Sequence, residues 1–328
     1  RDLHKEYRRQ RQMCIRDRAN RATGRSFVDS GGLIWIPVTL GATAAQVLRT
    51  ARQHELRRYL SSFGAAYVRF LFAWPLAISS LTLTWLCSPE TMDIPPRFYV
   101  WIGAAGLVQI CGTALLLQAF RARDFAIGTV YSKAEVILVA TGSAIFLGET
   151  LRPVGWVGAA IVLVGVVLLA ATSGVGTALK GLGDRAAWFG ISSGLFFAFS
   201  AVGIRGASTS LVGASVWHRT CLTLVALLTS QTLLHGALLA AFDRHQIVSI
   251  WNHRRECFQV GILSFAGTTG WIAAMTLATA AKVRTLGQLE IVLAFFISLV
   301  RLREEHHARD YFGSALVLIG ILLVVGLG

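Results

Sequence analysis

Charged residues are scarce in this chain of 328 residues. Asp, Glu, Lys and Arg make up 15% of it, whereas soluble domains usually contain about 25%. Hydrophobic residues reach 54%, and the mean hydropathy is +0.59. Apolar runs of about 20 residues, the length that a helix needs to cross the hydrocarbon core of a bilayer, recur along the chain. The composition therefore predicts an all-α polytopic membrane protein in contact with the lipid bilayer, rather than a soluble helical protein.

Other signatures are also missing. The five cysteines are scattered without a CxxC pair, which argues against a disulfide framework and a thiolate metal site. No G-x-x-x-x-G-K-[ST] loop is present, so ATP-driven pumping within this chain is not expected. The net charge is +14, but the basic residues lie in the first 25 positions and beside apolar runs, which indicates topology signals rather than a nucleic-acid surface. No cofactor and no metal are predicted.

The chain contains an internal duplication at an offset of 155 residues. YSKAEVILVATGSAIFLGETLRPVGWVGAAIVLVGVVLL, from Tyr131, aligns without gaps with LGQLEIVLAFFISLVRLREEHHARDYFGSALVLIGILLV, from Leu286. Glu135 then falls on Glu290 and Glu149 on Glu304. Each copy carries a carboxylate inside an otherwise apolar run.

Hydropathy predicts five spans in each copy. The predicted spans are residues 33–48, 63–85, 98–120, 125–147 and 154–171, then 187–204, 214–242, 258–278, 286–300 and 311–327. Because five is odd, the second copy must enter the membrane in the opposite sense. The prediction is ten transmembrane helices as two inverted five-helix repeats, a plan that places the binding site of secondary transporters between the copies near the midplane.

The rest of the chain divides around these copies. Residues 1–30 are polar and Arg-rich, and the run RQMCIRDR is similar to translated sequencing-adapter sequence. We interpret this segment as non-native, with a disordered basic tail as the alternative. The first repeat is predicted at residues 31–171 and the second at 187–328. The Gly-rich residues 172–186 are predicted to form a flexible linker between them.

The duplicated motif resembles a known family. FLGETLRPVGWVGAAIVLVGVVLLA and RLREEHHARDYFGSALVLIGILLVV resemble the closing motif of an EamA-type repeat, in which a Gly-Glu turn joins the fourth helix to a Gly-bearing fifth. The resemblance is to the drug/metabolite transporter superfamily and covers residues 33–328. It implies transport, often outward, of small metabolites, amino acids or drugs, with both termini in the cytoplasm. The distribution of Lys and Arg over the connections favours the opposite orientation.

Four polar residues inside predicted spans are the first candidates for a substrate or proton site. Lys133 and Glu135 lie in the first copy, and Gln288 and Glu290 occupy the corresponding positions of the second. Ionisable groups within a span are costly and therefore indicate function. Lys133 and Glu135 are two residues apart on a helix and cannot pair along one face, so each needs a partner elsewhere. The alternative is a structural Lys–Glu bridge that only holds the two halves in register.

Further candidates lie nearer the span ends. Arg69 and Arg219, near the start of the second span of each copy, could contact an anionic substrate group, with snorkelling to headgroups as the alternative. His218 is a candidate proton group, and Trp188 and Trp271 are candidates for a cavity wall. Interfacial anchoring is the commoner use of Trp in membranes.

Two other motifs are interpreted as structural. The G-x-S-x-G match at residues 190–194 lies inside a predicted span, without the strand–turn–helix context of a hydrolase elbow, so close helix packing explains it better. Residues 304–307 (EEHH) with Asp310 resemble a metal cluster but lie in a short connection, where a solvated loop is expected.

The sequence therefore predicts a secondary transporter, not an enzyme, that moves a small-molecule substrate by alternating access. Protons are the predicted coupling ion, the bacterial inner membrane the predicted location, and a homodimer the predicted assembly. The alternative is a membrane binding or assembly protein with the same fold that does not transport.

Overall fold

The computed structural model describes residues 32–122, 132–170, 185–297 and 308–328, and these are helical apart from short connections. The helices of the first half are α1 (Trp35–Leu56), α2 (Ser62–Leu71), α3 (Ala73–Cys87), α4 (Pro96–Ala122), α5 (Glu135–Gly142) and α6 (Pro153–Ala170). Those of the second half are α7 (Arg185–Ser210), α8 (Val216–Phe242), α9 (His245–Asn252), α10 (Arg254–Leu277), α11 (Ala280–Gly287), α12 (Leu289–Ile297) and α13 (Ala308–Leu322). Wider π-helical turns extend α5 over Ser143–Leu147 and α13 over Leu323–Leu327.

Six segments of the described residues are long and apolar enough to cross a membrane. They are Ser62–Cys87, Pro96–Leu116, Ala187–Ser210, Val216–Phe242, Arg254–Leu277 and Ala308–Leu327. Two shorter apolar helices, Glu135–Leu147 and Pro153–Leu169, accompany them. The prediction of an all-helical polytopic membrane protein is therefore confirmed for the described residues, while the count of ten spans stays a prediction.

Two pairs of consecutive helices follow each other with a single residue between them. Helices α2 and α3, which together form the segment Ser62–Cys87, break at Phe72 because Pro75, the third residue of α3, lacks the amide that would bond to the carbonyl of Leu71. Helices α11 and α12 break at Gln288, where the backbone tightens through hydrogen bonds from the amide of Gln288 to the carbonyl of Thr285 (3.1 Å) and from the amide of Ile291 to the carbonyl of Gln288 (3.1 Å). The corresponding place in the first half, before α5, shows a similar bond from Val136 to Lys133 (3.3 Å).

The connections form two ends of the bundle. Residues 88–95, 148–152, 211–215 and 278–279 are linked by side-chain and backbone contacts, and we call this end A. Gly148 ends the α5 extension there with a φ of +68°, the left-handed conformation that glycine adopts readily. End B comprises residues 57–61 and 243–253. The 27 residues of α8 separate the ends by about 40 Å at 1.5 Å per residue.

Glycines bring α6 and α13 into close antiparallel contact. A Cβ atom on Gly158 would lie 2.8 Å from the carbonyl oxygen of Gly320, and one on Gly165 would lie 2.7 Å from that of Gly313. In the duplication, Gly158 corresponds to Gly313 and Gly165 to Gly320. Exchanging the two copies therefore maps each contact onto the other, so the two helices are related locally by a two-fold axis.

Candidate functional site

Two ion pairs cross between the halves of the protein. Lys133 of the first half donates from Nζ to Oε1 of Glu290 in the second half at 2.7 Å. Arg284 of the second half donates to Glu135 of the first. The side chains are largely buried, with Glu135 9% and Lys133 14% exposed. We call these four residues the central cluster. Lys133 and Glu135 do not pair with each other, as the sequence predicts.

The central cluster lies near the middle of the bundle. Eleven residues separate Thr279, which caps α11 at end A, from Glu290, a distance of about 16 Å along a helix. This is roughly half the 30 Å thickness of a hydrocarbon core. Glu135 and Glu290 each occupy the first turn of a helix, α5 and α12. The positive end of the helix dipole stabilises a carboxylate at that position.

Three neutral side chains surround Glu290 and Arg284. Gln46 of α1 donates to Oε2 of Glu290 at 3.1 Å and accepts from the indole N–H of Trp271 at 3.0 Å. The Arg284 guanidinium lies 5.0 Å from the centre of the Trp271 ring, within cation–π range. Gln288 is buried, and its Oε1 atom has no hydrogen-bond partner among the described residues. An amide oxygen without a partner at this depth is available to a ligand N–H or O–H group.

Two arginines adjoin the central cluster on the side of end B. Arg49 lies one helical turn beyond Gln46 on α1, and its charge attracts that of Glu290. Arg69 of α2 is close enough to Arg49 for the two charges to repel. Its guanidinium lies 4.4 Å from the centre of the Phe70 ring. We call Arg49 and Arg69 the arginine pair.

At end A, a buried arginine closes the space between the halves. Arg205 of α7 is 3% exposed and donates to the Glu149 carboxylate from Nε at 2.9 Å and from Nη2 at 2.7 Å. Its Nη1 donates to the carbonyl oxygens of Met275 at 2.6 Å and Thr276 at 3.1 Å. Bidentate arginine–carboxylate pairs have fixed geometry and are the stronger kind of ion pair. The Gly-Glu turn of the first half is therefore tied to two helices of the second.

Further contacts between the halves lie at the same end. The Glu90 carboxylate accepts from the amide of Ser215 at 2.7 Å and lies 3.1 Å from Nδ1 of His218. Asp93 and Val212 form an isolated antiparallel β-bridge. End A is closed by these contacts together with Arg205 and Glu149.

End B has contacts between the halves but also an open polar cavity. The amide of Ser61 donates to Gln246 at 2.8 Å, and the rings of Tyr59 and His253 stack at 4.1 Å. Beside these contacts, a cavity of about 360 Å³ lies between the end of α1 and the start of α10. Its lining is mainly polar: Arg52, Glu55, Leu56, Arg58, Tyr59, Glu256 and Gln259.

Several of the predicted site residues lie elsewhere. Arg219 donates from Nε to the carbonyl oxygen of Ser208 at 2.8 Å, and His218 pairs with Glu90, so both belong to end A. Arg69 lies on the other side of the central cluster, so the two predicted arginines do not meet. Trp188 is 65% exposed, as interfacial anchors are, whereas the ring of Trp271 lies 5.0 Å from the guanidinium of Arg284 in the central cluster.

Of the two motifs interpreted as structural, one lies within the described residues and the other does not. Gly194, in the G-x-S-x-G match, lies inside α7 so close to the first half that a Cβ atom would be 2.6 Å from the carbonyl oxygen of Ser132. Close helix packing therefore explains this motif. Residues 304–307, the tail at 1–30 and linker residues 172–184 lie outside the described residues.

Hydropathy missed four polar contributors. Arg49 and Arg205 follow directly after predicted spans that end at residues 48 and 204, and Arg284 precedes one that begins at 286. The helices continue past those boundaries, so the three arginines lie inside the bundle. Gln46 lies within a predicted span, and only its i, i+3 spacing to Arg49 on one face of α1 indicates a role for its side chain.

Comparison with known proteins agrees with a membrane protein built from two related halves. The EamA-like transporter family matches residues 33–171 and 184–326. A curated relative from Sinorhizobium sp, named as an uncharacterized transporter in the cobO 3' region, is 29% identical over 94 residues. That alignment covers 29% of this chain and 64% of the relative. A protein of known crystal structure superposes with a TM-score of 0.64 at 15% identity, over 91% of this chain and 97% of its own. This last likeness concerns the fold alone.

Proposed function

The chain belongs to the EamA-like transporter family, and we propose that it is a secondary transporter that moves a small solute by alternating access. The crossed ion pairs carry this proposal, since they join the two halves at mid-depth where both α5 and α12 begin. Interrupted helices whose N-termini face a midplane site are typical of secondary transporters.

The proposed architecture is ten spans in two inverted five-helix halves. The local two-fold relation between α6 and α13 supports this arrangement, because parallel copies would not place Gly158 against Gly320. The α1 helix would be a span despite its charges, since Gln46 and Arg49 face protein rather than lipid.

In the proposed cycle, the structure corresponds to a state closed at end A. Substrate reaches the central cluster from the cavity at end B, and the halves then rock so that end A opens. Opening requires Arg205 to leave Glu149 and the β-bridge between Asp93 and Val212 to part. Protonation of Glu135 or Glu290 would weaken its ion pair, which is the route proposed for proton coupling.

Locking end A provides a test that leaves the central cluster unchanged. Paired residues of an antiparallel bridge have Cα atoms about 4.5–5.5 Å apart, within the range of a disulfide. We expect an Asp93→Cys/Val212→Cys protein, in a background without native cysteines, to lose transport on oxidation and to regain it on reduction. The measurement is exchange by proteoliposomes of radiolabelled amino acids, organic cations, purines, sugars and organic acids.

The matched controls are the single Asp93→Cys and Val212→Cys proteins under the same oxidant, which should exchange at unchanged rates. An oxidised double variant that still exchanges solute would show that end A does not open during transport. A wild-type protein that exchanges none of the solutes would favour the alternative function, a membrane scaffold. The mutual pairing of all four charges in the central cluster is the observation that favours that alternative.

The match to the EamA-like transporter family also supports a proposal for the partners and the location of the protein. The lipid bilayer and a small solute are its proposed partners, and the bacterial inner membrane is its proposed location. The homodimer stays a prediction.

A further inference from the structure

The interior of the protein carries more positive than negative charge around the central cluster. Lys133, Arg284, Arg49 and Arg69 are four cations that interact with one another or with the two carboxylates of Glu135 and Glu290. The net charge of this group is therefore +2. Uncompensated charge away from water is unfavourable unless an ion of opposite sign joins it.

The excess is localised on the arginine pair. Lys133 and Arg284 each have a carboxylate partner, whereas neither Arg49 nor Arg69 has an ion-pair partner among the described residues. The Nε atom of Arg49 and the Nε and Nη2 atoms of Arg69 are buried and lack a hydrogen-bond partner there. Arg205, by contrast, uses all three of its nitrogens.

The arginine pair also lies on the proposed route of a solute from the cavity at end B to the central cluster. On α1, Gln46 contacts Glu290, Arg49 follows one turn later, and Arg52 lines the polar cavity after one turn more. Arg49 therefore lies between the central cluster and the cavity at end B. A solute that moves along α1 from the cavity toward Glu290 therefore passes Arg49.

We infer that the substrate is an organic anion whose carboxylate or phosphate group binds to Arg49 and Arg69. This inference rests on the proposed transport function and names the class of solute. Two guanidinium groups with free N–H donors suit a planar carboxylate or a phosphate, because each donor fork matches two oxygen atoms. The remainder of the solute lies toward Trp271 and the free oxygen of Gln288, which select its shape.

The test measures thermal unfolding of the full chain in detergent with five probes. Succinate and 3-phosphoglycerate represent organic anions, putrescine a cation, glucose a neutral solute, and phosphatidylglycerol an anionic lipid headgroup. We expect succinate or 3-phosphoglycerate to raise the Tm by about 3 °C or more at saturating concentration. Arg49→Gln and Arg69→Gln are expected to weaken that binding roughly 10-fold to 100-fold, and the exposed Arg97→Gln to leave it unchanged.

Stability without ligand gives a second, independent readout. Because the buried Nε and Nη2 atoms of Arg69 have no hydrogen-bond partner among the described residues and Arg69 repels Arg49, Arg69→Gln should leave the Tm of the ligand-free protein unchanged or raise it. Arg205→Gln should lower the same Tm, because it removes five hydrogen bonds from a buried site. A large loss of stability in Arg69→Gln would show that this arginine is structural and would overturn the inference.

The probes separate failure of the inference from failure of transport. Stabilisation by putrescine or glucose alone would overturn the anion class while leaving a transporter. Stabilisation by phosphatidylglycerol alone, lost in Arg69→Gln, would identify a lipid headgroup site and overturn a soluble substrate. Absence of any shift with all five probes would also count against the inference, whereas the disulfide test at end A would still report on transport.

Discussion

A Lys133→Glu/Glu290→Lys protein is expected to be inactive in transport and less stable than the wild type, but more stable than Glu290→Lys alone. The exchange keeps the ion pair but reverses its direction relative to Arg49, Arg284 and the N-terminus of α12. A site that only held the halves together would tolerate the exchange, whereas a site that binds substrate would not. The double variant therefore distinguishes a loss of transport from a loss of the ion pair that joins the halves.

The single variant Glu290→Gln should lose both properties. It leaves the Lys133 ammonium buried without its carboxylate, which costs about 3–5 kcal/mol for a buried pair. The measurements are Tm in detergent and exchange rate in liposomes at matched protein incorporation. Glu55→Gln is the control for stability, because Glu55 pairs with Arg52 at an exposed site where an ion pair contributes about 0–1 kcal/mol. Normal exchange by the Lys133/Glu290 double variant would show that the pair is structural.

The second large effect is expected at the crossing of α6 and α13. Gly165→Leu should prevent formation of the folded protein, because a Cβ atom would lie 2.7 Å from the carbonyl oxygen of Gly313 and 2.8 Å from the backbone nitrogen of Val317. Backbone atoms cannot rotate away, so the helices must separate over their whole contact. The expected result is loss of the monodisperse peak in size-exclusion chromatography of the detergent extract.

Gly103→Leu is the matched control for this prediction. Gly103 lies inside α4, is exposed, and has no atom within 4 Å of the position that a Cβ would take. The added side chain should therefore be tolerated. If Gly165→Leu gave as much folded protein as Gly103→Leu, the close crossing of α6 and α13 would be wrong.

The internal duplication made much of this arrangement predictable. The 155-residue offset placed Glu135 opposite Glu290, and the rule that residues two apart on a helix diverge indicated partners from elsewhere in the chain. The structure pairs each carboxylate with a cation of the other half. Repetition fixes equivalent positions, but it does not state which cation of the other half approaches each carboxylate.

Hydropathy misplaced the span boundaries beside Arg49, Arg205 and Arg284 for a physical reason. A window average ends a span at the first charge, because an unpaired charge in lipid is costly. Arg49, Arg205 and Arg284 avoid lipid by facing neighbouring helices, so their helices continue through the predicted boundaries. Arg219 lies inside both the predicted span and α8, but hydropathy does not indicate that it donates to a carbonyl group at end A. Which face of a helix meets protein depends on packing that hydropathy does not encode.

Exchange by Glu135→Gln protein in liposomes is the measurement that tests the transport account most directly. Liposomes loaded with an unlabelled solute that the wild type exchanges would receive the labelled solute outside, with Arg97→Gln, an exposed variant next to end A, as the control. We expect Glu135→Gln to lose at least nine-tenths of the exchange while Arg97→Gln retains it. Equal exchange by all three proteins, with the same dependence on pH, would show that the crossed ion pairs are not the transport site.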